Sequence, residues 1–237
     1  MPARLAPRLL RVSSAVPSLR QLLILHPVLL GIDTCSTHVE VALWLSPSTE
    51  PTHRVTLEGE ASAALPIAVG QVLAAAGRGV RDLKAATFCS GPGSVLGIRL
   101  AAATLRAWRA VRPELALYSY LSLPPLAVAH PSFTIIADAR RDAWHAVRPG
   151  TSRTVLRLAT HELADHAPLA TPARFRRWSA LPVNQPITEL PWSAASLLAA
   201  SPDENFFVAA PDPDAFQHEA PSYAAWTPHI HRAPSAP

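Results

Sequence analysis

The most specific chemical signal lies in Phe88-Cys89-Ser90-Gly91-Pro92-Gly93-Ser94-Val95-Leu96-Gly97-Ile98-Arg99-Leu100, which runs into an alanine-rich stretch ending near residue 111. The order reads as a buried strand end, a tight glycine loop, and a helix beginning near Ser94. A helix start presents unpaired N–H groups and a partial positive charge, and glycine lets backbone come close to a phosphate or carboxylate. The same order also suits a plain strand-to-helix turn, and the stretch alone does not choose between them. Two carboxylates repeat a second pattern. Asp33 closes the apolar run Leu29-Leu30-Gly31-Ile32 and is followed by Thr34; Asp138 closes Phe133-Thr134-Ile135-Ile136-Ala137. Each carboxylate is suited to orienting the turn that follows it, at 34–37 and 139–142.

These groups need strands and helices to hold them. Val39-Glu40-Val41-Ala42-Leu43-Trp44 alternates as a paired strand does, and residues 142–147 suit a returning strand after Asp138. The chain therefore holds two strand–Asp–turn–strand units about a hundred residues apart, the outline of a duplicated α/β fold with two related lobes. A third strand is expected at 54–57 and a helix at 61–76 closed by Gly77, with Pro66 in its first turn or kinking it. A strand at 83–89 leads to the second helix at 94–111, apolar on most sides. Short elements follow: a strand at 115–118, a helix at 122–129, a strand at 154–158 and a helix at 191–200.

In the order GIDT…VEVAL, CSGPGSVLGIRLA, YLSLPPLA and IIADARRDAWHAV, the chain resembles the bacterial TsaB family over roughly residues 28–148. The resemblance implies the actin-like ATPase (ribonuclease H-like) fold, an α/β architecture of two related lobes with mixed sheets. It implies a non-catalytic partner of the TsaD transferase in threonylcarbamoyladenosine synthesis on tRNA. By that resemblance Asp33, Thr34, Gly91, Pro92, Gly93, Ser94 and Asp138 form loops like those of a nucleotide pocket. Leu65, Val69, Val72, Leu100, Ala103, Thr104 and Ala107, on the helices at 61–77 and 94–111, form the partner interface. The implied partners are a TsaD-like catalytic subunit and a TsaE-like ATPase, with tRNA met indirectly and a homodimer as the alternative assembly. No cofactor of its own is implied beyond weak ATP or Mg²⁺ binding, ATP being handled by partners, and the expected location is cytoplasmic. Three departures from the family pattern weigh against ligand binding: Val95-Leu96 after the GPGS loop, Leu100-Ala101 after the Ile-Arg pair, and Ala210-Pro211-Asp212-Pro213 after the late strand.

The alternative is a small actin-like ATPase or kinase using Asp33, the Gly91-Pro92-Gly93-Ser94 loop and Asp138 around Mg-ATP. Glycine distribution argues against it. Eight of nine glycines lie at or before Gly97, and Gly150 is the only later one. That leaves none for the second-lobe turn where backbone must approach an adenosine closely.

Composition excludes several classes. At 49% hydrophobic residues the 237-residue chain is globular. Cys35 and Cys89 make no disulfide framework and suit a reducing compartment as small core residues. No apolar run reaches membrane-spanning length. The net charge of +4 is almost wholly arginine, Lys84 being the only lysine. The densest basic cluster, Arg174-Phe175-Arg176-Arg177-Trp178, reads first as a solvated face and otherwise as an RNA contact. His161 and His166 are five apart, which turns a helix by about 140° past a full turn, so their rings diverge and make a poor metal pair. His229 and His231 lie in a tail and are no better. No Ser-His-Asp or Cys-His arrangement for nucleophilic catalysis is present.

The expected organisation is a disordered or misassigned extension at 1–27, a first lobe at 28–113, a second lobe at 114–210, and a proline-rich surface tail at 211–237.

Overall fold

A computed structural model of the chain describes residues 16–151, 154–166, 168–180 and 186–217. Its first sheet is built from β1 (Leu29–Asp33), β2 (His38–Trp44), β3 (His53–Glu58), β4 (Ala85–Gly91) and β5 (Ala116–Leu121). The second is built from β6 (Thr134–Asp138), β7 (Ala143–Val147), β8 (Leu156–Ala159), β9 (Leu169–Pro172) and β10 (Ile187–Leu190). A two-residue strand, β11 (Val208–Ala209), returns to the first sheet. Among the described residues five α-helices accompany them: α1 (Leu19–Leu25), α2 (Ala61–Ala75), α3 (Val95–Val111), α4 (Leu123–Ala129) and α5 (Ala194–Ala200).

The duplication is explicit in the strand order. The first sheet runs β3-β2-β1-β4-β5-β11 and the second β8-β7-β6-β9-β10. In each, the first three strands pair antiparallel, and the first, fourth and fifth pair parallel. Hairpins explain the antiparallel half, because tight turns follow Asp33 and Asp138. The parallel half of the first sheet needs a crossover, and α3 supplies it between β4 and β5. These two mixed sheets form the actin-like α/β architecture.

Alternation along β6 divides the core. Ile135 and Ala137 join the main core shared with the first sheet, whereas Ile136 faces a smaller one with Trp144, Ala146, Leu158, Leu163 and Leu169. The lobes are also tied by polar bonds. Glu40 on β2 accepts from Ser193 Oγ at 2.7 Å and from Ala195 N at 2.7 Å, so a carboxylate of the first sheet caps α5. No helix among the described residues is long and apolar enough to cross a membrane.

Several expectations are corrected. Residues 16–27 belong to the first lobe and are not an arm. Ser18 and Gln21 form a capping box, and Leu19, Leu22 and Leu23 of α1 are buried. Pro17 O accepts from Phe207 N, and Arg20 pairs with Asp203 at 2.7 Å. Residues 1–15 lie outside the described set. The first sheet also takes in β5 and β11, so the first lobe does not end at 113. Pro66 is the sixth residue of α2, beyond its first turn, on the exposed side. The tail is not wholly superficial: Pro213 is buried and Phe216 turns inward, while residues 218–237 lie outside the described set.

Candidate functional site

The GPGS loop is pressed against the first lobe's own backbone. A Cβ on Gly93 would stand 2.5 Å from Cys35 O, and one on Gly97 would stand 2.5 Å from Thr34 O. Ser94 N donates to Cys35 O at 2.8 Å, and Ser122 binds the other side through Pro92 O and Gly91 O. The close approach that glycine permits is therefore made to the 34–35 turn. Ser94 is the N-cap of α3, but its side chain makes no cap bond.

Asp138 is similarly committed. It accepts from the backbone N–H groups of Arg140, Trp178 and Ser179, and from Ser179 Oγ at 3.2 Å. Burial alone would raise this carboxyl. The N–H donors of Ser179, Trp178 and Arg140 outweigh it and hold the group below the usual carboxylate range. Arg140, Arg141 and Asp142 all have φ between 53° and 61°, a left-handed run that non-glycine residues rarely sustain. Arg140 folds back over Trp178, 4.5 Å from the ring centroid.

Asp33 is 2% exposed and Thr34 1%. Burial first, then the nearby Glu40 charge, push the Asp33 carboxyl up to about 7. Its Oδ1 accepts from Cys35 N at 3.1 Å and Trp192 Nε1 at 3.4 Å. Asp33 also borders a cavity of about 10 Å³ with Thr87 and Tyr120, enough for about one water.

The structure brings Gly91, Pro92, Gly93 and Asp138 to one interlobe cavity of about 100 Å³. Asp33, Thr34 and Ser94 are not among its lining residues, so the seven expected loop residues do not converge on one pocket. The tail enters there. Phe216 N donates to Ser90 O at 2.7 Å, its ring meets His145 edge-on at 5.8 Å, and Arg106 holds Pro213 O at 2.6 Å. Phe216 also borders a larger apolar cavity of about 400 Å³ with Tyr120, Pro124, Phe206 and Val208.

The expected interface separates into two groups. Leu65, Val69 and Val72 are 2%, 7% and 0% exposed, inside the first lobe's own core, and form no outer surface. They face the sheet because they occupy the inward side of α2 at helical spacing. On α3, burial falls on Gly97, Ile98, Ala101, Ala102 and Leu105, so this helix too is amphipathic and not apolar all round. Its other side carries Leu96 (77% exposed) and Val111 (78%), with Ala103 and Ala107 exposed and Leu100 and Thr104 half-buried between them. Ile67 of neighbouring α2 is 52% exposed.

The basic cluster is largely occupied within the chain. Phe175 is buried against Trp192 at 5.2 Å, Arg176 reaches Glu60 at 3.3 Å, and Arg177 reaches Glu189 at 2.9 Å. His161 and His166 fall in a 3-10 segment, with His166 Nε2 at 3.0 Å from Arg148; His229 and His231 lie outside the described residues. Sequence reasoning missed Glu40, Trp192 and Phe216. Glu40 had a signal: an acid inside an otherwise apolar strand invites a buried partner.

No family model matches the chain, and no curated protein matches it. Among solved structures, YeaZ from Pseudomonas aeruginosa superposes with a TM-score of 0.55 at 20% identity, over 80% of this chain and 100% of that one. A second structure, an uncharacterized protein with similarity to peptidase YeaZ from Pseudomonas aeruginosa, gives a TM-score of 0.47 at 20% identity, over 73% of this chain and 90% of that one. The first likeness shows a shared fold.

Proposed function

We propose that this chain is a TsaB-like accessory subunit of tRNA threonylcarbamoyladenosine synthesis. It would dock a TsaD-like catalytic subunit and hold it competent for transfer, without performing chemistry itself. The observation that carries this reading is the division of labour within the first lobe. The Gly91–Ser94 backbone and the Asp138 carboxylate are spent on the chain's own turns, while α3 leaves an apolar face open to solvent. The fold shared with YeaZ, itself a TsaB protein, supports the same reading.

The docking face is Leu96, Leu100, Ala103, Ala107 and Val111 on α3. Ala103 and Ala107 are one turn apart and small, so a helix of the partner reaches the α3 backbone closely. Leu96 and Val111 flank them and supply apolar area. The occupant is the actin-like TsaD-like subunit; a second copy of this chain is the competing occupant. ATP and tRNA are handled by that subunit and a TsaE-like ATPase in the cytoplasm.

The test is a reconstituted modification reaction with the cognate partner proteins and unmodified tRNA, read by nucleoside mass spectrometry. Threonylcarbamoyladenosine should form only when this chain is added. Formation at an unchanged rate without it would sink the proposal.

A further inference from the structure

The adjacent ends of β1 and β4 gather three metal-ligating side chains that the accessory role does not use. Asp33 closes β1, Cys35 lies two residues on, and Cys89 lies near the end of β4. The parallel register of these strands, with Ile32 opposite Phe88, sets them side by side. One ligand atom from each residue lies within 4.8 Å of the other two. Asp33 is 2% exposed and both cysteines 0%.

The cluster is incompletely satisfied. Asp33 Oδ1 has two N–H donors and the Cys89 thiol lies against the carboxyl, but Oδ2 is buried and no N–H or O–H donor reaches it. Both cysteines are free thiols, and Cys35 Sγ makes a long 3.8 Å contact with Cys89 O. A buried carboxylate oxygen without a donor is costly, and a cation supplies what it lacks. The Cys35 backbone is fixed by its carbonyl bond from Ser94 N and by Gly93 packed against it. That ligand is thus held in place before any ion arrives.

The donor set names the ion class. Two sulfurs and one carboxylate oxygen suit Zn²⁺ or Cd²⁺, not Mg²⁺ or Ca²⁺, which take all-oxygen shells. Zinc ligands stand about 2.0–2.3 Å from the metal. Three atoms within 4.8 Å of one another therefore need only modest closing to reach one ion. We propose that Asp33, Cys35 and Cys89 form a buried binding site for a thiophilic divalent cation of the Zn²⁺ type. On binding, each thiol, and the Asp33 carboxyl where it is protonated, releases its proton to solvent; the sulfurs and the carboxylate give lone pairs to the ion, with no redox change. The ion joins the β1–β2 turn to the GPGS loop, and it enters as the chain folds because the ligands are closed from solvent. The site rests on no part of the accessory-subunit reading.

The full chain is refolded from denaturant with Cd²⁺ or Co²⁺ and followed by thiolate-to-metal charge-transfer absorbance. The expected result is a band that saturates at one equivalent. C35S and C89S should abolish it, weakening binding by more than about a hundredfold, since changes merely behind metal ligands cost about 10–100-fold. D33N should weaken it while leaving the sulfur band. A wild-type melt gives a readout that needs no variant: Zn²⁺ should raise the melting temperature and a chelator should reverse the rise. No band and no rise with excess metal would overturn the site, as would a band of equal strength in C35S and C89S.

Discussion

At the scale of single residues, the site is governed by how closely backbone approaches backbone. Gly97 lies inside α3, where alanine is ordinarily favoured by about 1 kcal/mol. Its Cβ would stand 2.5 Å from Thr34 O, a backbone atom that cannot swing away. Gly97→Ala should therefore destabilise the chain by about 1–3 kcal/mol in urea unfolding. Stabilisation instead would mean that the turn at Thr34 yields. Asp138 gives a pH-dependent counterpart. Its folded pKa is depressed, so its stabilisation is present above the unfolded pKa near 3.9 and is lost as pH falls through the folded value. Asp138→Asn should lower stability by roughly 1 kcal/mol at neutral pH, because the group is only half-buried and partly screened. The gap from wild type should narrow as the pH of the melts falls below the unfolded value and through the depressed folded one. A gap unchanged in acid would show that the carboxylate charge is not what holds the 178–179 backbone. The sequence made both loops visible as glycine and Asp signals. It could not show that their donors and acceptors are used internally, because the 34–35 and 178–179 segments that use them are distant in sequence.

At the scale of elements, the two strand–Asp–turn–strand units were legible because hairpins are local and alternate with period two. The parallel strands were harder. β5 read as a strand but not as a member of the first sheet, since its partner β4 lies across the whole of α3. Helix α1 is masked in the sequence for a different reason. Its arginine-rich surroundings resemble a solvated arm, although Leu19, Leu22 and Leu23 are spaced to share one face and Ser18 and Gln21 form a capping box. Leu22 is 0% exposed, so Leu22→Ala should cost about 2–5 kcal/mol in denaturant unfolding. An unchanged midpoint would return residues 16–27 to the status of a dispensable arm. Helix α2 carries the opposite lesson. Leu65, Val69 and Val72 form a helical stripe, and such a stripe marks a contact without saying whether the contact is with the chain itself or with a partner. The sheet claimed it.

For the whole molecule, the two lobes enclose a cleft that the chain largely fills itself, with Phe216 from the tail and the 178–179 loop from the second lobe. The open apolar surface lies elsewhere, on the outer side of α3. That separation between a self-occupied cleft and an exposed helix face is the basis for reading the protein as a docking subunit. Ala103 sits at the middle of the face and is exposed, so Ala103→Arg leaves the lobe's core untouched. In a dry helix–helix contact the same change buries an unpaired charge. The most direct test is light scattering coupled to size exclusion, on this chain mixed at micromolar concentration with its cognate TsaD-like subunit. Wild type should elute as a complex of the two chains. Ala103→Arg should melt at the wild-type temperature yet elute apart, its affinity reduced at least about a hundredfold, or ~3 kcal/mol. A complex that survives the substitution, or a wild-type chain that never joins the partner, would contradict the docking role.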